Sequence, residues 1–182
     1  TNGKSSIANF YYQILRNNNK KSASIGTLGI KSKLYNQNLN ITTLDPINLH
    51  QSLQLIKNKK INNVILEASS HGLKQSRLDH LKFNCSIFTN LSRDHLDYHK
   101  TFKDYLNSKL KLFRLLMKKN STIIFDNDLP TSKTLKQIGK SKKLKSITVG
   151  SKNSDLNIYK IYYRQELILV EFKYKKKNYL IK

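Results

Sequence analysis

The chain contains 182 residues, enough for one domain with a real hydrophobic core, and its 38% hydrophobic content excludes a disordered tail. Its 34 Lys and Arg residues outnumber 11 Asp and Glu residues, and the formal charge of +23 suggests an anionic partner such as nucleic acid, phosphate or a lipid surface. The single cysteine, Cys85, excludes an internal disulfide framework and suits a reducing compartment. Because the sequence shows no apolar run of about 18 residues and no signal peptide, we expect a cytoplasmic protein without membrane contact.

The positive charge has a second explanation in the composition. Lys, Asn and Ile make up roughly a third of the chain, far above ordinary usage, and these three amino acids share A/T-rich codons. Sites for nucleic acid usually combine clustered Arg with stacking aromatic side chains, whereas Arg is sparse in this sequence. We therefore favour codon bias as the origin of the charge and expect no nucleic-acid partner.

Strands and helices alternate along the first 150 residues. Hydrophobic periodicity and turn residues first predict a helix that the polar run 17–21 ends, a strand at 24–28 and a loop or hairpin at 29–40. A helix from Asp45-Pro46 and two buried strands, at 64–66 and 85–91, follow. The remaining predicted elements are a helix at 102–113, a strand at 122–125, a helix at 129–138 and a strand at 146–149. This alternation predicts an α/β fold with a mostly parallel sheet flanked by helices.

The pattern changes after Gly150. Three short strands joined by polar turns are predicted at 156–163, 166–174 and 179–181, and they indicate a small antiparallel appendage to the α/β sheet. Their tyrosines could in principle stack on single-stranded nucleic acid, although packing within a sheet is the favoured interpretation. We treat residues 1–182 as one domain, with an α/β core at 1–150 and antiparallel strands at 151–182.

The segment before the first helix contains Gly3-Lys4-Ser5, the core of a phosphate-binding loop. In such loops backbone N–H groups at a helix start surround the phosphates, the Lys reaches the β- and γ-phosphates, and the Ser or Thr hydroxyl ligates Mg²⁺. The leading glycine of the motif and the strand that precedes it are missing from this sequence. The motif alone is weak, because it also describes an ordinary helix start.

Acidic and imidazole groups follow the two buried strands. Glu67 ends the first of these strands, and Asp94 and His95 lie in the polar segment after the second one. In doubly wound sheets, ligands bind at the carboxyl ends of the strands. Mg²⁺ prefers oxygen ligands, so Glu67 fits a magnesium site well and His95 is a less usual ligand. Each residue alone is typical of a solvated loop, but together after a phosphate loop they indicate a nucleotide and metal site.

The motifs occur in a specific order along the chain. They are Thr-Asn-Gly-Lys-Ser-Ser at 1–6, Ile-Gly-Thr-Leu-Gly at 25–29, Thr42-Thr43, Glu-Ala-Ser-Ser-His-Gly-Leu-x-Gln-x-Arg at 67–77, Asn-Leu-Ser-Arg-Asp-His-Leu-Asp-Tyr-His at 90–99, and Ser-Lys-Leu-Lys-Leu-Phe at 108–113. This series resembles the central ATPase domain of the Mur ligases, and within that family the MurE type. The resemblance has strong motifs up to about residue 113 and is weak beyond it.

The resemblance implies roles for individual residues. The ATP phosphates would be held by Thr1, Asn2, Gly3, Lys4, Ser5 and Ser6. Within that set, Lys4 would contact the γ-phosphate and the Ser5 hydroxyl would ligate Mg²⁺. Glu67 and His95 would ligate a second Mg²⁺, which a carbamylated Lys109 would help to place. Five residues match positions that contact the UDP-linked substrate: Thr42, Thr43, Ser69, Gln75 and Arg77. His50, His80 and His99 have no such match, and we expect surface or structural roles for them.

The implied activity is ATP-dependent formation of an amide bond in peptidoglycan synthesis. Enzymes of this type add an amino acid, either meso-diaminopimelate or L-lysine, to UDP-N-acetylmuramoyl-L-alanyl-D-glutamate through an acyl phosphate. The alternatives are another member of the superfamily, such as folylpolyglutamate synthase, and a basic nucleic-acid-binding protein without catalysis. We expect the chain to be a monomeric central domain truncated at both ends and inactive by itself. Departures from the family pattern at Ile41, Leu44 and Lys100 concern substrate contacts, and Ser5 keeps the hydroxyl of the usual Thr.

Overall fold

A computed structural model of the chain describes residues 2–39, 41–95 and 97–182. The chain divides into two compact units: the first consists of residues 1–81 and 91–112, and the second of residues 82–90 and 113–182. That the whole chain forms one domain stays a prediction.

The first unit contains a three-stranded sheet. Its elements are helix α1 (Lys4–Asn17), strands β1 (Ser22–Gly26) and β2 (Gly29–Ser32), helix α2 (Pro46–Asn58), strand β3 (Asn63–Leu66), helix α3 (Ser70–Lys74) and most of helix α4 (Phe102–Leu115). The strand order is β2-β1-β3, in which β1 runs antiparallel to β2 and parallel to β3. All residues of β1 are buried, and α1 packs against β1 and β3. The carboxyl ends of β1 and β3 therefore lie side by side.

The second unit contains a six-stranded sheet. Its elements are β4 (Phe83–Phe88), β5 (Met117–Asp126), α5 (Ser132–Ser141), β6 (Lys145–Gly150), β7 (Leu156–Arg164), β8 (Leu167–Tyr174) and β9 (Lys177–Ile181). The strands follow one another from β4 to β9; the pairs up to β7 are parallel, and β7, β8 and β9 pair antiparallel. Helix α5 packs against β5 and β6. The edge strand β9 is exposed along its whole length.

The predicted fold class is confirmed. Each unit combines helices with a sheet that contains parallel strands, and antiparallel strands follow residue 150. Several features differ from the prediction. The two strands predicted as buried are not: β3 is half-buried throughout, and β4 has only two buried residues, Ser86 and Phe88. The segment predicted as one strand at 24–28 turns at Thr27 and Leu28 and returns as β2, since Gly29 adopts a φ of 86°. A Cβ at residue 29 would lie only 2.4 Å from the Gln37 carbonyl oxygen, so this return requires glycine. Helix α3 was not predicted, because five residues are too few to show a helical period.

The helix starts follow local chemistry. Helix α2 begins at Pro46 as predicted, and the Asp45 side chain caps it by accepting the Asn48 N–H at 3.1 Å. Hydrogen bonds from the Asn48 side-chain amide and from its backbone N–H lower the pKa of Asp45. Helices α1 and α4 each have 14 residues. Within the described residues, no helix combines the length and apolar character needed to cross a membrane.

Candidate functional site

The Glu67 carboxylate is the centre of a hydrogen-bond cluster in the first unit. Glu67 directly follows β3 and is only 4% exposed. Its Oε2 atom accepts the Ser5 hydroxyl at 2.9 Å and the Thr27 hydroxyl at 3.2 Å, and its Oε1 atom accepts the Thr27 backbone N–H at 3.0 Å. A buried carboxylate is costly unless hydrogen-bond donors surround it. These donors come from the first turn of α1 and from the turn after β1, so the carboxylate joins two segments that are far apart in sequence.

The close approach of β1 to β3 fixes where this carboxylate lies. Ile25 pairs with Leu66 in the parallel register, and the Glu67 N–H donates to the Ile25 carbonyl at 2.9 Å. Gly26 therefore lies against the Glu67 side chain, and a Cβ at residue 26 would be 2.1 Å from Oε1. Only glycine leaves room for the carboxylate at this point of the sheet.

Two lysines lie near each other at this end of the first unit. Lys4 opens α1 and Lys109 is in α4. The pKa of Lys109 is lowered from its usual 10.5 to about 8, mainly by burial and also by the Lys4 charge, while the Asp94 charge opposes the shift. The Lys109 ammonium lies 5.3 Å from the centre of the fully buried Tyr105 ring. With this pKa, about a tenth of the Lys109 side chains are uncharged, nucleophilic amines at pH 7.

His95 lies in a cluster of rings. Its ring centre is 5.0 Å from that of His71 and 6.0 Å from that of Tyr105, and its Nε2 atom is 3.5 Å from an Asp94 carboxylate oxygen. Burial lowers the pKa of His71, and the nearby His95 and His99 charges lower it further. The neutral imidazole of His71 is therefore favoured.

The other histidines have surface or interior positions. His50 and His80 are exposed, whereas His99 is fully buried. The His99 Nε2 atom is within 3.0 Å of the Ser70 hydroxyl, and its backbone N–H donates to the His95 carbonyl at 2.9 Å. His99 thus joins the segment that carries His95 to the start of α3, which is a structural role of the kind predicted.

The residues predicted to contact a substrate form a second network. Thr43 is buried; its hydroxyl lies 3.0 Å from both the Glu67 carbonyl and the Ser69 hydroxyl, and its carbonyl accepts the Arg77 guanidinium at 2.7 Å. The Ser69 hydroxyl also accepts the Gly72 N–H and so caps α3. These contacts hold the segment before α2 against the end of β3, because Thr43, Ser69 and Arg77 hydrogen-bond to one another. The two other predicted residues bond outside this network: Gln75 donates to the Tyr98 hydroxyl at 3.0 Å, and the Thr42 hydroxyl lies 3.0 Å from that of Thr27.

The structure brings together part of the predicted nucleotide and metal set. Ser5 contacts Glu67, and the charges of Lys4 and Lys109 interact. Asn2, Gly3 and Ser6 are exposed at the start of α1, with Gly3 in the left-handed conformation, and Thr1 lies outside the described residues. Their roles in binding stay predictions.

The donor set suits Mg²⁺ in part. Ser5 and Glu67 offer adjacent hydroxyl and carboxylate oxygens, the ligand type that Mg²⁺ prefers. Across residues 2–39, 41–95 and 97–182, no group of three or more His, Cys, Asp and Glu residues could hold a metal ion. A metal held by Glu67 and His95 therefore needs further oxygen ligands, such as a phosphate or a carbamate on Lys109.

Thr27 is a site residue that the sequence did not single out, although it belongs to the motif at 25–29. The predicted strand at 24–28 includes Thr27, whereas β1 ends at Gly26 and leaves Thr27 directly after it, the same kind of position as that of Glu67. What the sequence lacked was the pairing of β1 with β3, which sets the two strand ends side by side.

Comparisons with known proteins agree on one family. The family model described as the Mur ligase middle domain matches residues 1–182. A protein of Bradyrhizobium diazoefficiens named UDP-N-acetylmuramoyl-L-alanyl-D-glutamate--2,6-diaminopimelate ligase is 41% identical over 155 residues, which are 85% of this chain and 32% of that protein. A protein of the same name from Chelativorans sp. is 37% identical over 161 residues, covering 88% of this chain and 33% of that protein. A solved structure of an enzyme with this name superposes with a TM-score of 0.88 at 25% identity, over 100% of this chain and 37% of that one. The chain thus spans about a third of the length of these relatives.

Proposed function

Since the chain belongs to the Mur ligase family, we propose that it is the ATP-binding part of a ligase that adds diaminopimelate to UDP-N-acetylmuramoyl-L-alanyl-D-glutamate. The observation that carries the proposal is the buried Glu67 carboxylate, hydrogen-bonded to Ser5 in the first turn of α1. The names of the relatives support diaminopimelate rather than L-lysine as the amino acid.

The start of α1 supplies the phosphate-binding groups. The free N–H groups of a helix N-terminus, together with its dipole, attract phosphate oxygens. Gly3 has a φ of 84°, which bends the chain into the helix, and Lys4 follows it. We assign ATP phosphate binding to residues 1–6, with the Lys4 ammonium on the γ-phosphate.

Ser5 would hold one Mg²⁺, and Glu67, His95 and a carbamylated Lys109 would hold a second; when bound, these ions neutralise phosphate charge and polarise the phosphoryl oxygens. The lowered pKa of Lys109 supports the carbamate, because only a neutral amine adds to CO₂ and forms the carboxylate. Lys4 and Arg77 would offset the repulsion between the phosphates and the D-glutamyl carboxylate.

The reaction follows from these roles. The D-glutamyl carboxylate takes the γ-phosphoryl group of ATP and becomes an acyl phosphate, with ADP as the leaving group. The amino group of diaminopimelate then attacks the acyl carbon, the new amide bond forms, and phosphate and a proton leave. Thr42 and Gln75 would bind the UDP-linked dipeptide, on a segment that the Arg77 to Thr43 hydrogen bond keeps in place.

The test measures phosphate release from ATP by the protein expressed with the flanking sequence of its own gene. The UDP-linked dipeptide is supplied alone, with meso-diaminopimelate, or with L-lysine. We expect release only with the dipeptide and diaminopimelate together. Release with L-lysine in its place would contradict the choice of amino acid. No dipeptide-dependent release from a folded protein would overturn the ligase, and tight, salt-sensitive binding of nucleic acid would then explain the charge.

Gly26 provides a specific test of the carboxylate position. We expect Gly26→Ala to lower phosphate release by about 100-fold or more, because the new Cβ would push the Glu67 carboxylate away from Ser5. The control is Gly139→Ala in α5, whose Cβ would meet the Ser146 hydroxyl at 2.8 Å in the second unit. Thermal unfolding of both variants separates lost folding from lost activity, and full activity of a folded Gly26→Ala variant would contradict the assignment of Glu67.

A further inference from the structure

Thr27 connects the metal-site carboxylate to the predicted substrate segment. Its backbone N–H and hydroxyl both donate to Glu67, one to each carboxylate oxygen. Its hydroxyl oxygen is also 3.0 Å from the Thr42 hydroxyl. Thr27 is exposed, so these bonds are not a by-product of burial in a core.

The number of hydroxyl protons determines which group donates each hydrogen bond in this network. A threonine hydroxyl has one proton to donate and two lone pairs that accept. Since the Thr27 proton is donated to Glu67 Oε2, the bond between the two threonines must be donated by Thr42 and accepted by Thr27. The hydroxyls of Thr42 and Thr27 therefore form a one-way chain that ends on the carboxylate.

Glu67 receives a second, independent hydroxyl from Ser5 on the same oxygen. Oε2 is thus shared by the phosphate loop on one side and by the threonine chain on the other. When Ser5 turns toward a metal ion, the Thr27 hydroxyl is the side-chain donor that still fixes Oε2.

We propose that Thr27 is a positioning residue that orients the Glu67 carboxylate and links it to the Thr42 hydroxyl, so that the metal ligand and the substrate segment are held in place together. The proposal rests on the proposed function for the roles of Glu67 and Thr42. It predicts that loss of one hydroxyl weakens the binding of both metal and dipeptide.

The central test is Thr27→Val, which keeps the shape and the backbone N–H but removes the hydroxyl. Binding of Mn²⁺, followed by electron paramagnetic resonance in the presence of a non-hydrolysable ATP analogue, reports on the metal site without catalysis. Calorimetry with the UDP-linked dipeptide reports on the substrate segment. We expect each affinity to fall about tenfold, the effect of losing one hydrogen bond to a charged group. Thr27→Ser should restore both affinities, since it keeps the hydroxyl.

A double mutant tests the link itself. If Thr42 acts through Thr27, Thr27→Val combined with Thr42→Val should weaken dipeptide binding no more than the worse single variant does. Losses that multiply would overturn the link. The control is Thr134→Val in α5, which should change neither affinity. Unchanged Mn²⁺ affinity in Thr27→Val, or a Thr27→Ser variant as weak as Thr27→Val, would overturn the positioning role.

The two proposals fail in different ways. Failure of the ligase function would appear in the unmodified protein, as no dipeptide-dependent phosphate release. Where the unmodified protein shows ligase activity and binds Mn²⁺, failure of the Thr27 proposal would appear in the variants, as metal and dipeptide affinities equal to those of the unmodified protein. Absence of Mn²⁺ binding to the unmodified protein in the presence of the analogue would overturn the Thr27 proposal as well, because Glu67 would then hold no metal.

Discussion

Lys109→Arg should lose at least about a thousandfold in phosphate release, as much as Lys109→Met. Arg keeps the positive charge but cannot form a carbamate, because its guanidinium stays protonated in proteins. If Lys109 acted as a cation, Arg would retain activity and Met would not. Equal losses in the two variants therefore show that phosphate release depends on the carboxylate of the Lys109 carbamate and not on the positive charge of the lysine.

The pH dependence of Lys109 gives a second readout. With a pKa of about 8, roughly a tenth of the amine is neutral at pH 7 and about half at pH 8, whereas an ordinary lysine is almost wholly charged there. We expect carbamate formation from ¹³C-bicarbonate, followed by NMR, to increase over this range and to be absent in Lys109→Arg. A carbamate signal that persists in this variant would place the modification on another residue.

The same group affects stability with a definite sign. The folded state holds Lys109 with a pKa below its usual 10.5, so the unfolded state binds more protons between about pH 8 and 10.5. The free energy of unfolding should therefore increase as the pH rises through this window. Below about pH 8, the full cost of burying the charged Lys109 ammonium lowers the free energy of unfolding. Lys109→Met should lack this contribution in chemical denaturation at a series of pH values. An identical pH profile for both proteins would contradict the lowered pKa.

Glu67→Gln is expected to have the other large effect, a loss of about a thousandfold in phosphate release with little change in folding. Gln matches Glu in shape, and its amide oxygen can still accept the Thr27 N–H while the two protons of its NH₂ group donate to rotated Ser5 and Thr27 hydroxyls. The variant therefore keeps the local hydrogen bonds but loses the negative charge that attracts a metal ion.

The measurement for Glu67 combines phosphate release with Mn²⁺ titration and thermal unfolding. Metal affinity should fall strongly while the melting temperature stays near that of the unmodified protein. Glu166→Gln is the matched control, because it removes a carboxylate from an exposed position in the second unit and should leave Mn²⁺ affinity unchanged. A Glu67→Gln variant with normal Mn²⁺ affinity would remove Glu67 from the metal site.

The fold was predictable where local patterns are strong. Pro46 and Asp45 marked the start of α2, and the apolar run at 64–66 marked a parallel strand, although β3 is half-buried rather than buried. The start of β5 at Met117, five residues before the predicted strand, was not predictable, because the segment 118–120 is polar and exposed. Its partner Phe83 lies in the distant strand β4, so the pairing depends on a contact that local sequence does not encode.

The site was predictable at the level of residues but not of contacts. Glu67 could be identified because a carboxylate after a buried strand lies at the edge where ligands bind. The environment of Lys109 was hidden, since its pKa depends on burial and on Lys4, which is far away in sequence. Thr43 matched a substrate contact by resemblance, yet its buried hydroxyl bonds within the protein.

The exposed edge strand β9 gives the unusual lysine content a physical consequence. A sheet edge with exposed apolar side chains, such as Leu180 and Ile181, is a template for aggregation by strand addition. Three consecutive lysines, Lys175 to Lys177, form the turn into this strand and its first residue. Their like charges repel a second copy that approaches the edge, and salt weakens this repulsion because the Debye length falls to about 10 Å at 0.1 M. These lysines thus act as gatekeepers against strand addition at β9, and self-association at this edge should increase with ionic strength.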